Sequence, residues 1–457
     1  MAHHGGLFRR AARSVAGAVA AVAVLASVQP ASTAQAAAAD ITVDFGTALR
    51  AVPRATFSAD ITGYGYHHYI TNDAQHRAML TGLYGFARMQ LVYKVPGDPT
   101  SAIVAGGTGA DTTVSGDDWV SSTRSLGAEP MVIVPEDPVD AANLVRHFNA
   151  GSAKITRWVV GNEPDPRMDA ATYSARFNAV YDAMKAVDPT ISVGGPAASN
   201  PNMAYLRTFL AGSGSRTDFV DFHKYGAGEK AACDGKLLAD TPEWSGDVAA
   251  VRALVQELAP SRAARIGIQV GETNSDWGVH PAPAGCDNIG AEPVQYRNAA
   301  IWWAASVFGH LAEAGAWGFA FGDKNGALGL LYDEPNANGA GLNERMPLYQ
   351  GLGFFTGQQG TALAHFGSTL VKSSTTLDGV EVFASSDPKV VVVVNKSTSP
   401  RSAVVSAGTG VTKATVHQKD GTTVSYAKPT PLGTLPVTNG TLTLTLPGPS
   451  VTQLALS

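Results

Sequence analysis

From residue 56 to about 357, short runs rich in β-branched and aromatic residues alternate with longer stretches whose apolar positions recur every three to four residues. That alternation predicts repeated βα units around a parallel sheet. The strand candidates are TFSADI from 56, FARMQLV from 86, PMVIV from 130, ITRWVV from 155, ISVGG from 191, DFVDFH from 218, RIGIQV from 265 and WGFAF from 317. In the helix between the fourth and fifth, Tyr173, Phe177, Val180, Tyr181 and Met184 share one face; Asp169 is placed to cap its start and Pro189 to stop it. Eight such repeats predict an α/β chain closed into a (β/α)8 barrel over 56–357. The rival, an open doubly wound sheet, lacks its glycine-rich phosphate-binding turn after the first strand.

Beyond Gly357 the helical spacing stops, and Val, Thr and Ser runs punctuated by Asp-Gly, Asn-Gly and Pro predict an all-β sandwich over 358–457. The VVVV run around 391 reads as a strand buried on both faces, Lys419-Asp420-Gly421 as a hairpin turn, and TLTLTL from 441 as a half-buried strand. The segment 37–55 carries ITVDF from 41, an early strand suited to join that sandwich. Residues 1–36 carry Arg9, Arg10 and Arg13, then an apolar run and Ala34-Gln35-Ala36, the pattern of a secretory signal. A secreted, extracellular protein is therefore expected, with no membrane span.

Charged residues make up 16% of the 457, and the formal charge of −5 offers no general attraction to nucleic acid or anionic lipid. Partners are expected to be neutral or small. Cys233 and Cys286 are the chain's two cysteines. In an exported protein such a pair predicts a disulfide, here joining the loops after strands six and seven.

A barrel builds its active site at the carboxyl ends of its strands. Two of those ends carry a glutamate. Strand four leaves through Gly161-Asn162-Glu163-Pro164 and strand seven through Gly271-Glu272-Thr273-Asn274, three βα units apart and so facing across the mouth. Two carboxyl groups so placed can hydrolyse a glycoside, one protonating the leaving oxygen and the other attacking the sugar carbon. Arg88, at the end region of strand two, is placed to supply positive charge to Glu272.

RWVVGNEPD, DFHKYG and IQVGETN resemble the fourth, sixth and seventh strand ends of clan A retaining glycoside hydrolases. The resemblance implies Glu163 as acid/base, Glu272 as nucleophile, Asn162 as the contact to the sugar 2-hydroxyl, and Arg88 and Tyr225 as partners keeping Glu272 ionised. It also places His223 in the same pocket. ALGLLYDEP to ERMPLYQGLGFF and the terminal LTLPGPSVTQLAL are similar to family 39, whose β-xylosidases and α-L-arabinofuranosidase-like members imply a plant cell-wall pentoside as substrate, with no cofactor. Where that family places a tryptophan four residues before an aspartate on strand eight, this chain has Phe319 and Asp323, so Phe319 is expected as a smaller sugar platform.

Other features bear on the cleft. Tyr64, Tyr66 and Tyr69 could stack a sugar. Glu136, leaving strand three, is a spare carboxylate for a substrate hydroxyl, against a plain rim charge. Trp244, Trp277 and His280 sit in the cysteine-bearing loops as candidate subsite walls, whereas Trp302 and Trp303 read as core. His67 and His68 are adjacent and no His-Glu-x-x-His occurs, so no metal is expected. The alternatives kept open are an endo-acting or glucuronidase-type clan A hydrolase and a non-catalytic carbohydrate-binding barrel.

Overall fold

The computed structural model describes residues 38–61, 69–83, 85–106, 114–286, 288, 290–322 and 326–457. The secretory-signal pattern of 1–36 lies outside this set, as do Tyr64, Tyr66, His67, His68 and Asp323. Ala39–Ser457 form one compact unit. Its strands are β1 (Ile41–Ala51), β2 (Ser58–Asp60), β3 (Phe86–Tyr93), β4 (Ile103–Ala105), β5 (Glu129–Val134), β6 (Arg157–Val160), β7 (Ser192–Ala198), β8 (Phe219–His223), β9 (Gly267–Thr273) and β10 (Trp317–Phe321), followed by β11 (Thr369–Thr375), β12 (Val380–Ser386), β13 (Val390–Asn395), β14 (Arg401–Ser406), β15 (Lys413–Asp420), β16 (Thr430–Pro436), β17 (Thr441–Leu446) and β18 (Ser450–Leu456).

β2, β3 and β5–β10 pair in parallel in chain order, and β10 and β3 both pair with β2, so the barrel closes. The strand predictions therefore hold. β4 is an addition, antiparallel to β3. Inside the barrel Phe86, Met131, Ile133, Val159, Phe219 and Phe319 fill the space between the strands. The Arg157 guanidinium lies 4.2 Å from the ring centres of both Phe86 and Trp317 beside them. Each fully buried Phe or Met contributes roughly 1.5–3 kcal/mol. Asp169 caps the helix Ala170–Val187 by accepting from the Thr172 amide, and its predicted apolar residues Tyr173, Phe177, Val180 and Met184 are buried.

The second sheet has nine strands in the order β16-β15-β18-β13-β12-β11-β1-β14-β17 and encloses its own core. β1 runs antiparallel to β11 and parallel to β14, so the early ITVDF run does lie in this sheet. β13 explains the VVVV run. Val391 and Val393 point into the sheet's core, whereas Val390, Val392 and Val394 join the barrel's hydrophobic cluster. Between the two lies the helix Asn298–Ala314, which buries Trp302 and Trp303 completely. The hairpin predicted at Lys419-Asp420-Gly421 is present, since β15 and β16 pair antiparallel, but its connection runs from Gly421 to Pro429 and is not a tight turn. Buried Lys419 holds that loop by donating to Thr423 Oγ1, Val424 O and Ala427 O, and Ser425 and Thr423 reach Tyr296 O and Asn298.

Candidate active site

The exit from β6 is bent to present Glu163. Gly161 adopts φ 70° and Glu163 φ 45°, a left-handed conformation that a side chain rarely adopts. At Gly161 a Cβ would meet Glu136 Oε1 at 2.7 Å, so the turn needs glycine twice over. The Glu163 amide is tied to Ala197 O at 2.9 Å. Backbone strain of this kind persists only where the surroundings enforce it, and it clusters at functional sites.

Four strand ends deliver the remaining groups. Arg88 from β3 is wholly buried; its Nη1 donates to Glu272 Oε1 at 3.1 Å and to Asp60 Oδ1 at 2.7 Å, and its Nη2 to Asn162 Oδ1 at 2.9 Å. His223 from β8 places Nε2 3.2 Å from Arg88 Nη2 and Nδ1 2.9 Å from Glu163 Oε1. Because guanidinium only donates, the neutral imidazole is assigned with Nε2 accepting and its proton on Nδ1, facing Glu163; a second proton would make it a cation beside both glutamates. The same Nδ1 is 3.4 Å from Glu272 Oε2. Tyr225 completes the set by donating to Glu272 Oε2 at 2.7 Å. Donor atoms of Glu163, His223 and Glu272 all lie within 4.8 Å of one another.

Electrostatics separates the groups. Burial pushes the Glu272 carboxyl up, but His223, Arg88 and the Tyr225 hydroxyl more than offset it, leaving its pKa lowered. Burial and then Glu272 hold the Tyr225 phenol well above its usual range, so it remains a donor. For His223, burial acts downward and the Glu272 charge with the Glu163 hydrogen bond act upward, for a net rise. The Glu163, His223 and Glu272 trio has the composition of a metal site. Yet both Glu272 oxygens already accept hydrogens, one from a guanidinium, so the positive charge a cation would bring is supplied by Arg88.

Both glutamates line one cleft of about 850 Å³, together with Asn200, Lys224, Tyr225, Trp277 and Phe321. Of the predicted site residues, Glu163, Glu272, Asn162, Arg88, His223 and Tyr225 are brought together, and half-exposed Trp277 stands on the cleft wall against Gly228. Phe319 is a correction. It is wholly buried in the barrel core, because the period-two pleat that puts Phe321 at the mouth sends Phe319 one layer down. Phe321 packs edge-on to Tyr225 at 6.1 Å and is the ring that the sequence reading missed. Trp244 is also corrected: it is buried beneath the cleft, donates to Thr273 Oγ1 and meets Trp303 edge-on. Glu136 stands outside the central group, with its oxygens taken by Arg167 and Arg176. His280 pairs with Asp276 at 2.9 Å on either side of Trp277. Cys233 and Cys286 form a disulfide between the loops after β8 and β9. Sequence reading also missed Asp60 and Asp221, which approach Arg88 from β2 and β8.

No protein-family model matches the chain, and no curated protein matches it. Solved structures do. A thermostable family 51 α-L-arabinofuranosidase from Thermotoga petrophila is 15% identical, with a TM-score of 0.67, over 92% of this chain and 100% of that one. The family 44 endoglucanase from Clostridium thermocellum is 14% identical at a TM-score of 0.64, over 92% and 99%. A family 44 xyloglucanase from Paenibacillus polymyxa is 13% identical at 0.63, over 91% and 99%. This chain shares their fold. The likeness spans barrel and β-sheet domain alike, since nearly the whole of each chain is covered.

Proposed function

We propose that the protein is a secreted retaining O-glycoside hydrolase of clan A that cleaves plant cell-wall pentosides, xyloside or arabinofuranoside, by double displacement. The observation that carries this reading is the placement of one oxygen each of Glu163 and Glu272 within 4.8 Å in a single cleft. Retaining enzymes hold their carboxyl groups about 5–5.5 Å apart, whereas inverting ones leave room for a water between them. Glu272, kept ionised by Arg88 and Tyr225, attacks the anomeric carbon, while Glu163 gives its proton to the departing oxygen. Asn162, fixed by Arg88, is the contact to the 2-hydroxyl. A water deprotonated by Glu163 then attacks the glycosyl–Glu272 ester, returning the nucleophile and the proton.

The motifs point to family 39 within the clan, and the shared fold with a family 51 arabinofuranosidase supports a pentoside. Among the described cleft residues Glu163, Glu229, Glu243 and Glu272 face Lys224, whose amine is engaged by Glu243 and Asp247. That charge balance suits a neutral sugar better than a glucuronide. An endo-acting enzyme is the second reading, favoured by the size of the cleft and by the endoglucanase and xyloglucanase of like fold. Intact pairing of both carboxylates argues against a barrel that binds sugar without cleaving it. A panel of chromogenic arabinofuranoside, xyloside, glucuronide, galactoside and glucoside, run beside arabinan, xylan and xyloglucan, tests the proposal. Release from a pentoside with retained anomeric configuration supports it. Cleavage of polymers alone moves the assignment to the endo reading, and inactivity throughout rejects both.

A further inference from the structure

Three carboxylates converge on one guanidinium at the centre of the barrel, yet the guanidinium has hydrogens directed to only two of them. Arg88 Nη1 serves Asp60 and Glu272, and Nη2 serves Asn162 and His223. Asp221 lies 3.9 Å from Nη2 and accepts instead from Gln269 Nε2 at 2.9 Å. Asp60, Asp221 and Arg88 are all 0% exposed. The second oxygen of each aspartate, Asp60 Oδ2 and Asp221 Oδ1, has no hydrogen-bond partner among the described residues. Backbone is pressed against the latter: a Cβ on Gly271, the residue before Glu272, would stand 2.3 Å from it.

Three ionised carboxylates around the guanidinium would leave net negative charge in a dry core, by two charges with His223 neutral and by one with it protonated. Buried charge is tolerated only when paired and fully hydrogen-bonded; Asp60 is paired to Arg88 through Oδ1 and Asp221 accepts only from Gln269, and each leaves its second oxygen without a hydrogen among the described residues. We propose that Asp60 and Asp221 are positioning residues that act as neutral carboxylic acids, bracing the Arg88 guanidinium while leaving its charge to Glu272. This rests on Glu272 being the nucleophile. The usual order of protonation is thereby inverted, the two deeper aspartates holding protons while the glutamate at the cleft is ionised. The electrostatics agree in direction. Burial, ahead of the opposing Arg88 charge, raises Asp60 well above the carboxylate range and Asp221 to about 6, while Glu272 is lowered. The titratable and charged groups facing Arg88 and Glu272 among the described residues are Asp60 from β2, Glu163 after β6, and Asp221, His223 and Tyr225 from β8 and its exit; β10 presents the ring of Phe321.

The test compares wild type with Asp60→Asn, Asp60→Ala, Asp221→Asn and Asp221→Ala. Difference infrared spectra at about pH 5, where free carboxyls are mostly ionised, should show each Asn variant lacking one buried carboxylic-acid carbonyl band. Loss of a carboxylate band instead overturns the proposal. In kinetics, each Ala variant should lower kcat by about 30-fold or more with KM little changed, and Asn should recover most of that loss. The acid limb of kcat/KM should stay in place in the Asn variants. A shift of that limb to lower pH by about one unit would mean that an anion beside Glu272 had been removed, and would refute neutral aspartates. Should the Ala variants fail to fold, the infrared bands and the Asn pH profiles still decide. A wild type inactive on every glycoside would defeat the hydrolase reading while the infrared result continued to judge the protonation states.

Discussion

The phenolic hydroxyl of Tyr225 donates a 2.7 Å hydrogen bond to Glu272 Oε2, on the carboxylate whose other oxygen is held by Arg88. The bond favours the ionised carboxylate, so removing it raises the Glu272 pKa. In Tyr225→Phe the acid limb of kcat/KM should move to higher pH, and the plateau should fall about tenfold to a hundredfold, the range for a hydrogen bond to a charged group. Initial rates on the best glycoside across the acid range check this. An unmoved limb would leave Tyr225 without the role given to it.

Trp277 presents half of its surface to solvent beside the cleft. A sugar face covering roughly 50 Å² of apolar ring contributes about 1.3 kcal/mol, at roughly 25 cal/mol per Å² removed from water. Trp277→Ala should raise KM for an oligosaccharide by up to about tenfold, and raise it less for an aryl monoglycoside that does not reach the ring. Equal effects on both substrates would place the ring off the substrate path.

The disulfide between Cys233 and Cys286 closes a loop of 53 residues. Chain entropy assigns such a closure about 4 kcal/mol at most. The double variant Cys233→Ser/Cys286→Ser should unfold at lower denaturant concentration, and mass spectrometry of unreduced wild type should find the two peptides linked. Two alkylatable thiols would contradict the pairing.

Between barrel and sheet, His310 Nδ1 meets Glu313 and Nε2 meets Glu381, each at 3.0 Å. Burial alone would lower the imidazole pKa, but the two glutamates raise it to about 9. The folded pKa lies above the unfolded one, so its contribution is fully present below about pH 6.5 and is lost as pH rises through about 9. Thermal unfolding of wild type should show this decline. His310→Gln should flatten it, at a cost of at most about 3 kcal/mol on the acid side.

Much of this fold is legible in the sequence because its signals are local. Strand runs and amphipathic helices repeat eight times, and the alternation in TLTLTL is reproduced by buried Leu442, Leu444 and Leu446. The glutamates stand out because each ends a strand. What escaped depends on contacts between distant residues. Phe319 and Phe321 look equivalent until the barrel register sets one in the core and the other at the mouth. Asp60 and Asp221 carry no motif that sets them apart in the sequence, and only closure of the barrel brings both to Arg88. Glu136 looked free because its arginine partners belong to the next βα unit.

The central claim is the division of labour between Glu163 and Glu272, and azide reads it most directly. Glu163→Ala should lower kcat/KM on glycosides with poor leaving groups by about 10²–10⁴-fold. With an activated aryl glycoside it should still form the intermediate, which then turns over slowly for want of a base. Added azide, an anion that needs no deprotonation, should restore the rate, and proton NMR should show a glycosyl azide with the anomeric configuration of the substrate. If azide instead rescues Glu272→Ala with retained configuration and leaves Glu163→Ala inert, the two roles are reversed and the account is contradicted.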